Sequence, residues 1–181
     1  MNFRKTLVLV FGTFGLLATI SACDLPFISN QHLQSPELKA ALTAKSIPYS
    51  NLEQGADGTP DGPIFTTFRS QQEVDDFLKA HPLIKAGNSL PNVDFSTHLA
   101  IFAQLAPQST GQIKMEIVSI EEQDDQLLVH SVRWLPPEGT PTTQLSTWPY
   151  HYVSIQRTSK PIAFSPVVSA PLNQRPNDTT H

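Results

Sequence analysis

The sequence predicts an α+β domain: an antiparallel β-sheet of about five or six strands with one main amphipathic helix packed on it. Composition favours a β-rich fold, because 16 prolines and a charged fraction of only 15% argue against a helical bundle. The pattern agrees with the composition. Short apolar or alternating segments recur between loops rich in proline and glycine, as they do in β domains.

The main helix has the clearest local signature. Ser70 and Glu73 have the spacing of a capping box, Val74 and Phe77 follow on one apolar face, and Pro82 ends the helix. A shorter helix is predicted earlier in the chain.

That second helix begins at Ser35. Ser35 can cap the free N–H groups, Pro36 suits the first helical position, and Leu38 and Ala41 share one face before the helix ends near Lys45.

Six segments are predicted as strands. The run that begins at Leu99 is apolar almost throughout, which is typical of a strand buried on both faces. A phase shift between Ile117 and Ile120 interrupts the alternation of another strand and indicates a β-bulge. The predicted strands are Ile64 to Phe68, Leu99 to Leu105, Gln112 to Glu121, Leu128 to Trp134, Tyr150 to Gln156 and Ile162 to Phe164.

The N-terminus has the pattern of a signal peptide. Arg4 and Lys5 precede an apolar run of 14 residues, Leu7 to Ile20, which is shorter than the roughly 20 residues that span a bilayer. Small residues then lead to Cys23, the only cysteine in the chain.

The stretch Ile20-Ser21-Ala22-Cys23 resembles the lipobox of bacterial lipoproteins. The resemblance implies cleavage before Cys23, lipidation of its thiol with acyl chains such as palmitate, and a membrane-anchored place in the cell envelope facing the periplasm or the exterior. Two alternatives stay open: cleavage of an ordinary secretory peptide near Ala22, which would leave a free thiol, and an uncleaved signal anchor.

The chain is expected to have four segments. Residues 1–22 are the signal peptide, and residues 23–62 are a tether with a short helix and a loop rich in glycine and proline. Residues 63–164 form the β-rich domain, and residues 165–181 are expected to be disordered.

Charge and cysteine content argue against a nucleic-acid-binding protein and against a disulfide-stabilised domain. Without Arg4 and Lys5, 10 of the 12 basic residues remain against 16 acidic ones, so the chain beyond residue 22 carries about −6 and shows no basic patch for nucleic acid. A single cysteine allows no intrachain disulfide, so packing must stabilise the domain.

Four segments within residues 64–157 carry a resemblance to a known family: Phe65 to Leu78, Val93 to Ser96, Thr110-Gly111 and Thr147 to Ile155. Together they resemble the C-terminal domain of PrcB-like lipoproteins, which are named for a subunit of a bacterial surface protease complex. The family loop is richer in glycine: Ala106, Ser109, Gln112 and Ile113 stand where it has Gly, Pro, Gly and Tyr. The resemblance implies a non-catalytic accessory lipoprotein that supports an envelope protease complex.

The candidate partner-binding residues are Thr110, Gly111, Trp148, Tyr150 and Tyr152. Tryptophan and tyrosine are enriched at binding hot spots, and the three aromatic residues alternate along one side of a strand. The alternative is that these aromatic side chains cover the core or the main helix.

No cofactor, metal or enzymatic activity is predicted. His98, His130 and His151 lack the local spacing of paired ligands, and no nucleophile motif is present. Asp124 and Asp125 are interpreted as turn residues.

Two functions are therefore carried forward. The first is a lipid-anchored accessory or binding subunit of an envelope complex, with a protein partner, which the PrcB-like resemblance suggests is a protease. The second is a protease inhibitor that presents inter-strand loops to an active-site cleft, because a Thr-Gly loop between strands also occurs in chagasin-like inhibitors.

Overall fold

The computed structural model describes residues 35–176, which form an α+β fold that is mostly β. The predicted signal peptide and Cys23 lie outside the described residues. The elements in chain order are α1 Pro36–Thr43, β1 Tyr49–Gly55, β2 Ile64–Phe68, α2 Gln71–Ala80, β3 His98–Gln104, β4 Gln108–Thr110, β5 Lys114–Glu122, β6 Leu127–Leu135, β7 Gln144–Thr147, β8 Tyr150–Gln156, β9 Ile162–Phe164 and β10 Val168–Pro171, followed by a 3-10 turn at Leu172–Gln174.

The first sheet is antiparallel throughout and has the order β1-β8-β3-β2. Every residue of β3 after His98 is buried, as the apolar run predicts for a central strand. In β8 the first six residues are buried. Both central strands are therefore covered on both faces.

The second sheet is built around β6. On one side β6 pairs antiparallel with β5, and on the other it pairs parallel with β9 and then with β10. The β5–β6 register shifts between Ile117 and Ser119, which confirms the predicted bulge.

The two sheets pack face to face over the largest apolar cluster. Burying aliphatic side chains of both sheets between them removes the apolar surface of each from water, the main favourable term in folding. The fully buried members of this cluster are Leu99, Ile101, Ala103, Met115, Ile117, Ile120, Val129 and Val153.

One helix covers the outer face of each sheet. α2 lies on the first sheet, where Val74 packs with Phe68, Phe102 and Tyr152. α1 lies on the second, where Leu38 packs with the buried residues Val132, Trp134 and Ala170.

Both helix starts follow the predicted capping chemistry. The Ser35 hydroxyl accepts from the Leu38 N–H at 3.1 Å, and the Ser70 hydroxyl accepts from the Glu73 N–H at 3.2 Å. The second half of the capping box differs: the Glu73 carboxylate accepts from the N–H of Arg69, at 2.6 Å, rather than from that of Ser70.

The prediction of one sheet with one main helix is wrong in its details. Within residues 35–176, two four-stranded sheets and a separate two-stranded antiparallel unit take the place of the single sheet, and two helices cover them. The extra elements are needed because β5 and β6 bury apolar residues on both faces, so each face requires a cover.

Four of the ten strands between residues 35 and 176 lie outside the segments that were predicted as strands: β1, β4, β7 and β10. β1 lies inside the predicted tether, where it pairs with β8, and β10 lies inside the predicted disordered tail, where it pairs with β6. The prediction of disorder is therefore wrong for Val168–Pro171. Residues 177–181 lie outside the described residues.

Candidate functional site

The Thr110-Gly111 loop belongs to a two-stranded antiparallel unit, β4 paired with β7, which we call the ribbon. The Thr147 hydroxyl donates to the Thr110 carbonyl at 3.1 Å and ties the two strands together. A Cβ on Gly111 would meet the Thr143 hydroxyl at 3.4 Å and the Leu145 side chain at 4.0 Å, which is ordinary van der Waals contact, so Gly111 lies beside β7 and the residue before it.

The ribbon has an uncharged, open surface. Residues 104–113 and 139–150 contain no Asp, Glu, Lys or Arg. Leu145 is 60% exposed, and within residues 35–176 only Ile84 is another large hydrophobic residue of high exposure. A concave surface of about 400 Å³ is lined by Ser109, Thr110, Thr142, Gln144, Leu145 and Ser146.

Trp148 follows the ribbon directly and anchors its base. Its N–H donates to the Ala56 carbonyl at 2.7 Å, and its carbonyl accepts from the Gly58 N–H at 3.1 Å. The side chain is half-buried, and its Nε1 is buried without a hydrogen-bond partner in the described part of the chain. The predicted proximity of Trp148 to the Thr110-Gly111 loop therefore arises through β7.

The loop that holds Trp148 is itself fixed by a buried glutamine. Gln104 is fully buried, and its Oε1 accepts from the Thr59 N–H at 2.8 Å while its Nε2 donates to the Thr59 carbonyl at 3.1 Å. A Cβ on Gly58 would lie 2.2 Å from the Gln104 Oε1, so the approach requires glycine. The predicted loop over Glu53 to Pro63 is thus part of the domain.

Tyr150 and Tyr152 do not lie on the surface with Trp148. Their exposures are 1% and 0%, and they pack against Phe102 with ring centroids 5.4 and 6.4 Å away. Burial raises the pKa of both phenols, and for Tyr150 the hydrogen bond to Glu53, at 2.6 Å, adds to this effect. Of the aromatic set, only Trp148 remains accessible to a partner.

The three histidines considered for a metal lie apart in different settings. The His98 ring bonds to the Thr97 hydroxyl at 2.8 Å, His130 lies 3.3 Å from the Glu121 carboxylate, and the His151 Nδ1 accepts from the Ile117 N–H at 2.9 Å. Between residues 35 and 176, no group of three or more His, Cys, Asp and Glu residues is placed to hold a metal ion.

Asp124 and Asp125 lie exposed in the turn between β5 and β6, as predicted. The turn is closed by the Gln123 N–H, which donates to the Gln126 carbonyl at 2.9 Å.

Sequence analysis missed a polar interface between the sheets, which we call the seam. The edge of β5 that does not pair with β6 forms hydrogen bonds with side chains of β1, in the first sheet, and with Ser46, which precedes β1 in the chain. The Ile117 carbonyl accepts from the Tyr49 hydroxyl at 3.0 Å, and the Met115 carbonyl accepts from the Gln54 Nε2 at 2.5 Å. The Ile120 N–H donates to the Ser46 hydroxyl at 2.9 Å. The sequence signal was weak, since β1 has no regular apolar alternation.

The described part of the chain has no helix that is long and apolar enough to cross a membrane. Comparison with family models, with curated proteins and with solved structures found no match to this chain.

Proposed function

We propose that this protein is a lipid-anchored, non-catalytic lipoprotein of the bacterial cell envelope that acts as an accessory or binding subunit. Cys23 is the lipidation site. The partner is a protein, and the PrcB-like resemblance makes an envelope protease the first candidate. The anchor rests on the lipobox, and the binding role rests on the ribbon.

The ribbon is the observation that carries the binding role. The chain as a whole has a net charge of −4, yet this surface is free of charged side chains and exposes Leu145 to 60%. Interface centres are depleted of charge and are built around apolar anchors. Thr110, Gly111, Trp148 and Leu145 therefore form the proposed contact set, and the buried Tyr150 and Tyr152 are not part of it.

A Leu145→Lys variant tests the binding role. We expect the native lipoprotein to co-purify with a stoichiometric partner from detergent-solubilised membranes, and the variant to lose that partner because a lysine at the centre of the contact must be desolvated. The matched control is Gln72→Lys, which adds the same charge on exposed α2. A protein without a partner, or a partner lost equally in both variants, would reject the binding role.

The anchor is tested separately with Cys23→Ser. Intact mass of the native protein should include acyl chains, and the variant should leave the membrane fraction, because stable anchoring needs more than one chain. A native protein without added mass that partitions into the soluble fraction would reject lipid anchoring.

The protease-inhibitor alternative is kept because Leu145 stands exposed next to the Thr110-Gly111 loop, as a residue inserted into a protease cleft would have to be. A panel of purified proteases assayed with micromolar protein distinguishes the two functions. Inhibition abolished by Leu145→Lys supports the alternative, and no inhibition across the panel removes it.

A further inference from the structure

A cleft of about 310 Å³ opens along the seam, and none of its lining residues belongs to the ribbon. One wall is the stretch of β1 from Asn51 to Gln54, and the other is formed by Glu116, His151 and Arg175. The β1–β8 register shifts between Asn51 and Glu53, and such a bulge bends a strand locally. The cleft therefore lies where β1 leaves regular pairing.

His151 presents a hydrogen-bond donor to this cleft. The side chain lines the cleft although the residue is only 3% exposed. Its Nδ1 accepts the Ile117 N–H at 2.9 Å, so the ring proton of the neutral imidazole is on Nε2. Among residues 35–176, no acceptor bonds to this Nε2–H.

Gln54 presents an acceptor beside that donor. Gln54 and His151 are direct cross-strand partners in the β1–β8 pairing, so their side chains are neighbours on one face of the sheet. The Gln54 Nε2 donates to the Met115 carbonyl at 2.5 Å, which fixes the amide and leaves Oε1 as an acceptor without a donor in the described chain. The cleft thus offers one N–H and one C=O side by side.

The charges around the cleft are paired. The Glu116 carboxylate accepts from the Arg175 guanidinium at 2.8 and 2.9 Å and from the Trp134 Nε1 at 2.5 Å. Glu53 is paired with Lys85 at 2.5 Å. Burial, with the positive charge of Arg175 as a second cause, lowers the pKa of His151 to about 4, so the imidazole is neutral at neutral pH. An uncharged ligand suits this lining better than a free anion.

We propose that the cleft binds a primary amide group. The ligand carbonyl oxygen accepts from the His151 Nε2–H, and the ligand N–H that is cis to this carbonyl donates to the Gln54 Oε1. A trans secondary amide points its C=O and N–H in opposite directions, an ether or ester lacks the donor, and a carboxylate is charged. In a peptide the group occurs on asparagine and glutamine side chains, and the site is independent of the ribbon and of the proposed function.

The test follows the His151 ring nitrogens of the full-length protein in detergent micelles by long-range proton–nitrogen NMR. The probes are acetamide, with N-methylacetamide as its matched trans-amide control, and N-acetylglutamine methylamide, with N-acetylalanine methylamide as its control. We expect the Nε2–H tautomer in the free protein and a saturable shift of that signal with acetamide. A shift with the blocked glutamine but not with the blocked alanine identifies a carboxamide side chain of a peptide as the source.

Gln54→Met removes the acceptor while keeping the length of the side chain. Loss of one hydrogen bond should weaken amide binding about fivefold. Tyr49→Phe, which removes a seam hydrogen bond but does not line the cleft, should bind as the native protein does. Equal shifts with N-methylacetamide, saturation with acetate instead of acetamide, an Nδ1–H tautomer, or no saturable shift with any primary amide would each overturn the proposal.

Discussion

The seam and the ribbon both present strand edges, and they treat their main-chain groups in opposite ways. Along the seam, the edge of β5 is occupied by side chains such as Tyr49, Gln54 and His151, so its N–H and C=O groups are bonded inside the protein. The ribbon instead stands apart from both sheets and leaves Leu145 largely exposed.

This difference indicates that the seam contributes to folding stability and that the ribbon is available for binding a partner. An edge whose donors and acceptors are satisfied internally cannot add another strand, whereas an open, uncharged edge can. The seam joins the two sheets, so its disruption should unfold the protein. Substitutions in the ribbon should change the free energy of unfolding little but should weaken binding of the partner.

The largest expected loss of stability comes from a substitution that leaves a cavity beneath the seam. Ile117→Ala removes a fully buried side chain between the sheets and should lower the free energy of unfolding by about 2–5 kcal/mol. Leu145→Ala, its counterpart on the ribbon, should change that free energy by less than about 0.5 kcal/mol. Denaturant titration followed by tryptophan fluorescence measures both. Equal losses in the two variants would mean that the ribbon is part of the core.

The next effect is a pH dependence that comes from the seam. Burial lowers the His151 pKa from 6.5 to about 4, so on acidification the unfolded chain takes up a proton before the native protein does. Stability should therefore be unaffected by this group above about pH 7 and should fall between pH 6.5 and 4, by about 3 kcal/mol in total.

His151→Gln provides the control, because the glutamine carbonyl can still accept from the Ile117 N–H but does not titrate. The unfolding free energy of the native protein minus that of the variant should shrink as pH falls through this window. A difference that stays constant with pH would contradict a neutral, buried His151.

The smallest effect concerns the contact that ties the base of the ribbon to the rest of the domain. Gly58→Ala places a Cβ 2.2 Å from the buried Gln104 Oε1 and 2.6 Å from the Trp148 carbonyl, and should cost about 1–3 kcal/mol. Gly62→Ala meets nothing within 4 Å and should be nearly neutral. If thermal or chemical unfolding ranks the two variants equally, the loop is not held by the contacts around Gly58.

Local chemistry made much of the fold predictable. Ser35 and Ser70 mark helix starts because a hydroxyl next to an apolar periodic segment satisfies free N–H groups, and both caps are confirmed. The apolar run after His98 indicated a doubly buried strand, and the break in alternation near Val118 indicated the bulge. Each signal lies within a few residues of the element that it specifies.

The candidate site was predictable only in part. Trp148 lies at the base of the ribbon that carries Thr110 and Gly111, as the sequence suggested, but Tyr150 and Tyr152 are buried beneath α2. Alternation along a strand places residues on one face without revealing whether a helix covers that face. Leu145 was missed because a single leucine between threonines and serines has no periodic partner.

The sequence by itself determined the helix starts, the central strands, the bulge, the acidic charge and a lipobox-like stretch ending at Cys23. Tertiary structure decided the rest. β1 and β10 are too polar or too short to be recognised alone, and they become strands because β8 and β6 offer unpaired edges. The roles of Gln54, Gln104 and His151 likewise depend on partners 34 to 61 positions away in the chain, and only the folded chain brings those groups within hydrogen-bonding distance.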